Sequence, residues 1–436
     1  MTRNSSATRR TFVKSAAAGV IATWGMASPA RSRAPSGEVN LGLIGVGIRG
    51  YQLHRALRDV EGARVAGISD LSDHYIERIR PELRDPQTPV YRDYRQLLAH
   101  SPLDAVVIAS PDHWHAQMTI DALKAGKHVY VEKPLAYSLE EAIRVRDVAR
   151  AAGRITQVGY QRRSISHFYE ARDLVATGIL GEITQVLLWS SRNRLTTAPW
   201  RAYDDYDTPG LPAKSGPEHV DWARFQANRP TRPYDAKRFF HWQCYDEYST
   251  GIFGILMSHP LDAANLVLQL GPPESCSAAG GIYRYDDGRT VPDTCQALFN
   301  YPSRKLSISF VGSSNNAFFQ QEAHYRGTNG TIEIGTSQMN VYAERRDALF
   351  EKFVPGDARK KFGDLRRTPV YQSPPARGDS TVVHLKDFVE AIRSGGPSRA
   401  PVEACFTAMV AVAMAIRSFQ TGRTMYWDAA RERMVG

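Results

Sequence analysis

The chain has 436 residues, enough for two or three domains with cores of their own. Its composition is that of an ordinary globular protein, which excludes collagen-like, low-complexity and disulfide-framework classes. The net charge is +10. Residues 1–30 hold four of the cations (Arg3, Arg9, Arg10 and Lys14) and no acid, so the remainder is nearer +6. Beyond them, basic residues are interspersed with acids in no run or stripe, and no nucleic-acid partner is expected.

Arg9-Arg10, followed by Phe12, Val13 and Lys14, leads into a short apolar run, Ala16 to Ala27, and a small-residue exit, Ser28-Pro29-Ala30. That order is a twin-arginine export signal, cut after Ala30. The run is too short for a permanent membrane anchor, so the expected location is periplasmic or otherwise exported. The twin-arginine machinery carries folded cargo, which suits a protein that loads a cofactor before export. The alternative is a basic tail beside an accidental apolar patch. Residues 31–37 read as a linker.

Residues 38–159 alternate apolar strands with helices. Strands are expected at Val39–Ile44, Ala63–Ser69, Leu103–Ser110, Lys127–Val131 and Ile155–Gly159. Helices are expected from the glycine turn to about Val60, from His115 to Ala125, and from a capping box at Ser138–Glu141 to about Gly153. Buried strands in this alternation give a doubly wound parallel sheet. From residue 160 to 436 the pattern changes. Residues 190–250 read as long structured loops, Glu274 to Val341 as antiparallel strands with a turn at Gly327–Gly330, residues 351–380 as a loop or flap, and Val383 to Gln420 as helical. The cysteines Cys244, Cys276, Cys295 and Cys405 form no metal or redox motif and are expected to be free; Cys276 and Cys295 are the only two close in sequence.

Gly45-Val46-Gly47-Ile48-Arg49-Gly50 fits G-x-G-x-x-G between a strand and a helix, with Asp70 at the next strand end. Gly45 allows the tight turn, Gly47 lets backbone approach a pyrophosphate, Gly50 permits close helix packing, and the amides near Ile48 and Arg49 face the phosphates. A carboxylate at Asp70 suits free ribose hydroxyls and repels a 2′-phosphate, favouring NAD; Arg49 keeps NADP open. Ser110-Pro111-Asp112-His113-Trp114-His115 and Glu132-Lys133-Pro134 follow two further strands, where open α/β sheets bind ligands.

Together with Gly159-Tyr160-Gln161-Arg162 and His259-Pro-Leu-Asp262, these motifs resemble the glucose–fructose oxidoreductase, inositol dehydrogenase and MocA family over nearly the whole chain after the signal. The resemblance implies an N-terminal NAD-binding Rossmann domain and a C-terminal α/β domain on a large open, mainly antiparallel sheet, one face carrying substrate and the other often an oligomer interface. It implies a homo-oligomer, dimer or tetramer. It places Ser110, Pro111, Asp112, His113, His115, Glu132 and Lys133 beside the cofactor, makes Lys133 and His259 the catalytic pair with His259 accepting the hydroxyl proton, and gives Pro134 a cis bond. The family's aspartate four residues before the histidine is Ile255 here, with Asp246 or Glu247 as candidate replacements.

Tyr160, Arg162, Arg163, Arg238, Trp242, Asp246 and His259 are the candidate sugar-binding residues; loop packing competes for Arg238, Trp242 and Asp246, and a core histidine for His259. His113 and His115 have the spacing of metal ligands but lack a third, so no metal is expected. The function implied is NAD-dependent hydride transfer at a sugar, cyclitol or glycoside hydroxyl. Its alternatives are a glycosidase or lyase using NAD transiently, and a non-catalytic carbohydrate-binding relative.

Overall fold

The structure is a computed structural model describing residues 37–99, 103–193, 211–318, 320–344 and 369–436. The export segment, most of the linker and the expected flap as far as residue 368 lie outside the described residues.

The first sheet has six parallel strands: β1 (Val39–Ile44), β2 (Ala63–Ser69), β3 (Val90–Tyr91), β4 (Ala105–Ile108), β5 (His128–Val131) and β6 (Thr156–Val158). Their spatial order is β3-β2-β1-β4-β5-β6. The chain therefore leaves β1 toward one edge and resumes at β4 on its other side. The reversal opens a crevice beyond the carboxyl ends of β1 and β4, the place where such sheets bind ligands. Val39, Leu41, Val106, Val107, Val129 and Val131 are fully or almost fully buried, as a sheet covered on both faces requires. The helix Leu139–Ala152 starts on Ser138, whose hydroxyl accepts from the amide of Glu141, and ends at Gly153 with φ +60°.

The second sheet has ten strands: β7 (Ile183–Ser191), β8 (Ser275–Gly281), β9 (Thr294–Tyr301), β10 (Leu306–Ser313), β11 (Gln321–Gly327), β12 (Gly330–Ile334), β13 (Met339–Ala343), β14 (Tyr371–Gln372), β15 (Met425–Asp428) and β16 (Arg433–Val435). Their order is β14-β13-β12-β11-β7-β10-β9-β8-β15-β16, antiparallel except for β7 beside β10. Alternation along β10 sends Leu306, Ile308 and Phe310 inward and Ser307 and Ser309 toward the open face. All four cysteines are free and buried; Cys276 lies across from Phe299 while Cys295 lies across from Gly280.

Two C-terminal helices join the sheets. Leu385, Phe388, Val389 and Ile392 of Ser380–Ser394 complete the core beside β1. Val402–Thr421, within the stretch expected to be helical, is apolar and long enough to cross a bilayer; here its Ala408, Met409, Ala411 and Ala415 are buried against β8 and the helices Leu139–Ala152 and Ser258–Leu268.

Candidate functional site: a glycine-rich cleft leading to Lys133 and His259

The three motif glycines have separate reasons. Gly45 sits at φ +82°, and a Cβ there would lie 2.8 Å from the Ala109 carbonyl oxygen. A Cβ on Gly50 would lie 1.9 Å from the Gly45 carbonyl oxygen, so the helix Ile48–Leu57 approaches the loop only because that side chain is missing. Gly47 differs: a Cβ there would meet nothing nearer than the Tyr75 ring at 3.7 Å. Packing does not require glycine at position 47, and its bare backbone faces the cleft. Among the described residues no side chain caps this helix start, leaving amides at the positive end of the helix dipole. This is a cradle of the shape and polarity that a dinucleotide pyrophosphate needs.

The loop is held from below. Both oxygens of buried Asp70 are taken by backbone amides, Val46 at 2.7 Å and Ser72 at 2.9 Å, and Arg78 donates to the carbonyls of Val46 and Gly47. Burial raises the Asp70 pKa and these amides oppose the rise. Asp70 lines the cleft as expected, together with Gly45, Gly47, Ile48, Arg49, Ser110 and Pro111. Arg92 reaches the same end from just past β3, paired with Asp73, a proximity the sequence did not reveal.

The cleft continues past Ile48, Arg49, Ala109, Ser110, Trp242 and Gln243 into a second cavity of about 420 Å³. Lys133, His115, His259, Arg162, Glu132 and Asp112 all line it. Glu132 is its buried anchor, accepting from Arg49 Nε at 2.8 Å, Gln161 at 3.0 Å and the Tyr130 hydroxyl at 3.2 Å. Burial alone would raise its pKa, but Arg49 and Lys133 bring it below the ordinary range. The Lys133–Pro134 bond is cis, and the Pro134 carbonyl lies 2.7 Å from His115 Nδ1.

Lys133 Nζ donates at 2.8 Å to the carbonyl oxygen of Ile255. That residue sits in a π-helical turn, Phe253–Met257, a local widening that recurs at functional sites. Burial pulls the lysine down to about 8 against the opposing pull of Glu132 and Asp112. His259, one residue into the following helix, is held well below the ordinary imidazole value by burial and then by Lys133, Arg162, Arg49 and Arg192. Its Nδ1 is buried with no hydrogen-bond partner among the described residues. Asp246 and Glu247 do not replace the acid missing at Ile255: Asp246 accepts from Thr290, and Glu247 pairs with Arg232 and Arg238. Asp112, expected beside the cofactor, is buried on the cavity wall, accepts from Thr250 Oγ1 at 2.6 Å and is one of the charges acting on Lys133.

Five expected ligand-binding residues are structural instead. His113 is buried, its ring nitrogens 2.7 Å and 3.3 Å from the carbonyls of Phe225 and Tyr248, so it ties the segment 211–250 to the first domain and does not face the cofactor cleft. Arg163 makes a buried bidentate pair with Asp262. Tyr160 is fully buried, edge-on to His259 at 5.9 Å between ring centroids, and forms no part of the cavity wall. Arg238 lies over the Tyr245 ring and pairs with Glu247, and Asp246 is turned to Thr290; neither lines the cavity. Trp242 and Arg162 do line it.

The segment 211–250 forms the outer wall of the cleft. Val220 bridges to Ser72, the Asp221 amide donates to the Leu71 carbonyl at 3.0 Å, and Phe225, Phe239 and Phe240 face Asp70 and Gly47 across the opening.

Residues 39–160 match the NAD-binding Rossmann fold of an oxidoreductase family, and residues 172–426 match its C-terminal alpha/beta domain. The chain is similar to the alpha-N-acetylgalactosaminidase of Shewanella oneidensis, 32% identical over 191 residues, and to a glycosyl hydrolase family 109 protein of Shewanella sp. strain W3-18-1, 30% identical over 184. These matches take in 39% and 38% of this chain and only 40% and 39% of those proteins. Among solved structures, the aldose-aldose oxidoreductase of Caulobacter crescentus aligns with TM-score 0.64 at 17% identity, covering 89% of this chain and 99% of that one. Myo-inositol 2-dehydrogenase of Lactobacillus plantarum aligns with TM-score 0.62 at 18%, again over 89% and 99%. At such identities these structures speak to the fold alone, whereas the two domain matches span most of the sequence: the chain belongs to the Gfo/Idh/MocA family of NAD-binding oxidoreductases.

Proposed function

We propose that the protein is an exported oxidoreductase that holds NAD through its catalytic cycle and acts on a secondary hydroxyl of a sugar, cyclitol or glycoside. The observation that carries this reading is the continuity of the glycine cradle with the cavity containing Lys133 and His259. A nicotinamide in that cavity would supply a two-electron acceptor for hydride. Gly45, Gly47, Ile48, Arg49 and Gly50 would hold the pyrophosphate end. Asp70, as an acceptor, favours the ribose hydroxyls of NAD over a 2′-phosphate.

Lys133 is the better placed of the two bases. Its amine and ammonium forms interchange near pH 8, close to working pH, so it can take the hydroxyl proton or return it. His259 stays neutral beside the surrounding cations and orients the substrate oxygen. Retention of cofactor draws support from the segment 211–250, which would cover the adenine end with Phe225, Phe239 and Phe240. Arg9 and Arg10 support twin-arginine export.

The test is to purify the exported protein and look for bound nucleotide; none, with no measurable NAD affinity, removes the reading. Replacing Arg9 and Arg10 by Lys should leave the protein unexported, and unchanged fractionation would remove that part alone. A second reading, redox-neutral glycosidic cleavage through transient oxidation, is favoured by the similarity to the alpha-N-acetylgalactosaminidase of Shewanella oneidensis. It predicts release of a free sugar without net change in the cofactor, and solvent deuterium entering the carbon next to the oxidised one.

A further inference from the structure

The Lys133 cavity carries an excess of positive charge. Arg49, Lys133, Arg162 and Arg192 line it against two carboxylates, Asp112 and Glu132. Glu132 is taken by Arg49 at 2.8 Å, and Asp112 is the other acid acting on Lys133. Arg162 is different. It lines this cavity but not the glycine-rich cleft, beside Gln321 of β11, and donates to the Gln321 side-chain oxygen at 2.6 Å. No carboxylate among the described residues lies within ion-pair distance of it. That bond turns the Gln321 carbonyl toward the guanidinium and leaves the Gln321 amide NH2 as a donor, so this wall of the cavity offers donors to a ligand. A partly buried guanidinium loses some of its hydration with no carboxylate to replace it, and a planar fork beside an amide donor matches a carboxylate.

We propose that the substrate is an anion, a sugar or cyclitol derivative carrying a carboxylate, and that Arg162, aligned by Gln321, selects it. This rests on the reading of the cavity as a hydroxyl-oxidising site. The pyrophosphate of a dinucleotide would occupy the Gly47 end and leave Arg162 unpaired. Desolvation already pulls Arg162 down to about 10, which an anion would reverse. An anion there would also offset one of the positive charges that hold His259 low, supplying from the substrate what Ile255 cannot.

The test compares calorimetric binding of D-glucuronate and D-galacturonate with their methyl esters and with D-glucose and D-galactose, on the NAD-loaded protein. The acids should bind about tenfold or more tighter than the esters, the scale of hydrogen bonds to a charged group. In Arg162→Gln the acid-to-ester ratio should fall to near one, and Gln321→Leu should lower the ratio part of the way. Equal binding of acid and ester, preference for the neutral sugars, no binding of either acid, or a ratio that survives Arg162→Gln would each overturn the proposal. The acid–ester comparison uses the unaltered protein, so it stands even if a variant fails to fold. Binding requires no turnover, so selection of acids by a protein without redox activity would sink the oxidoreductase reading and spare the anion site; redox activity blind to the carboxylate would do the reverse.

Discussion

Gly47→Ala separates packing from ligand binding. A methyl at Gly47 would rest 3.7 Å from the Tyr75 ring, an ordinary contact, while one at Gly50 would fall 1.9 Å from a backbone oxygen. Alanine restricts the unfolded chain, a gain of about 0.4–1 kcal/mol. It is a poorer residue than glycine at a helix start by an amount of similar size. The two offset, so Gly47→Ala should melt within about 2 °C of the parent. Gly50→Ala forces the loop and helix apart and should cost about 1–3 kcal/mol. For the dinucleotide the order reverses in interest: the methyl at 47 stands where a pyrophosphate would meet the amides. Loss of a hydrogen bond to a charged group, about 1.5–3 kcal/mol, gives a weakening of about 10- to 150-fold in Kd for NAD. Thermal denaturation of stripped protein and calorimetric titration with NAD measure the two quantities. An unchanged Kd with unchanged stability would mean that the phosphates lie elsewhere, and the site assignment would fail. A large loss of stability would mean that Gly47 is structural after all.

Three further outcomes follow from particular contacts. Lys133 is lowered in the fold from 10.5 to about 8, so below pH 8 the folded state bears the full cost of a charged, buried amine, and this cost fades as pH rises toward 10.5. Lys133→Met should therefore raise the melting temperature at pH 7, with a gain that shrinks above pH 8, while cutting turnover by about 10²–10⁴; a destabilised Met variant would refute the burial argument. For the intact enzyme, hydroxyl oxidation should climb as pH passes through about 8, because the amine is the accepting form, and the reverse direction should decline. A pH–rate profile flat across that region would assign the proton to another group. Asp262→Ala leaves Arg163 charged and buried without its bidentate partner and should cost about 3–5 kcal/mol in chemical denaturation, and a loss below 1 kcal/mol would show that the pair is not desolvated.

Local sequence rules located much of the first domain because its signals are short-range. Val39–Ile44 and Ala63–Ser69 were legible to the residue, being apolar runs bounded by glycine, serine or acid. The capping serine Ser138 marked its helix for the same reason. β3, only two residues long, has no pattern to read; it exists because Ile68 and Ser69 offer it a sheet edge. β7 was passed over although it alternates, since its neighbours in the sheet, β10 and β11, lie far along the chain.

The site divides along the same line. Glycine spacing and the Glu-Lys-Pro triplet sufficed to point to a dinucleotide and to a lysine at a strand end, because turn geometry and strand polarity are local properties. Which neighbour faces the ligand was decided by the fold. The helix begins at Asp112, so His113 and His115 lie on different faces, one tied to Phe225 and the other to Pro134. Arg162 and Arg163 are adjacent in one short turn, yet one lines the cavity and the other pairs with Asp262. Sequence specifies what each side chain can do; only the packing of distant segments assigns it a partner, because burial and opposing charge come from residues remote in the chain.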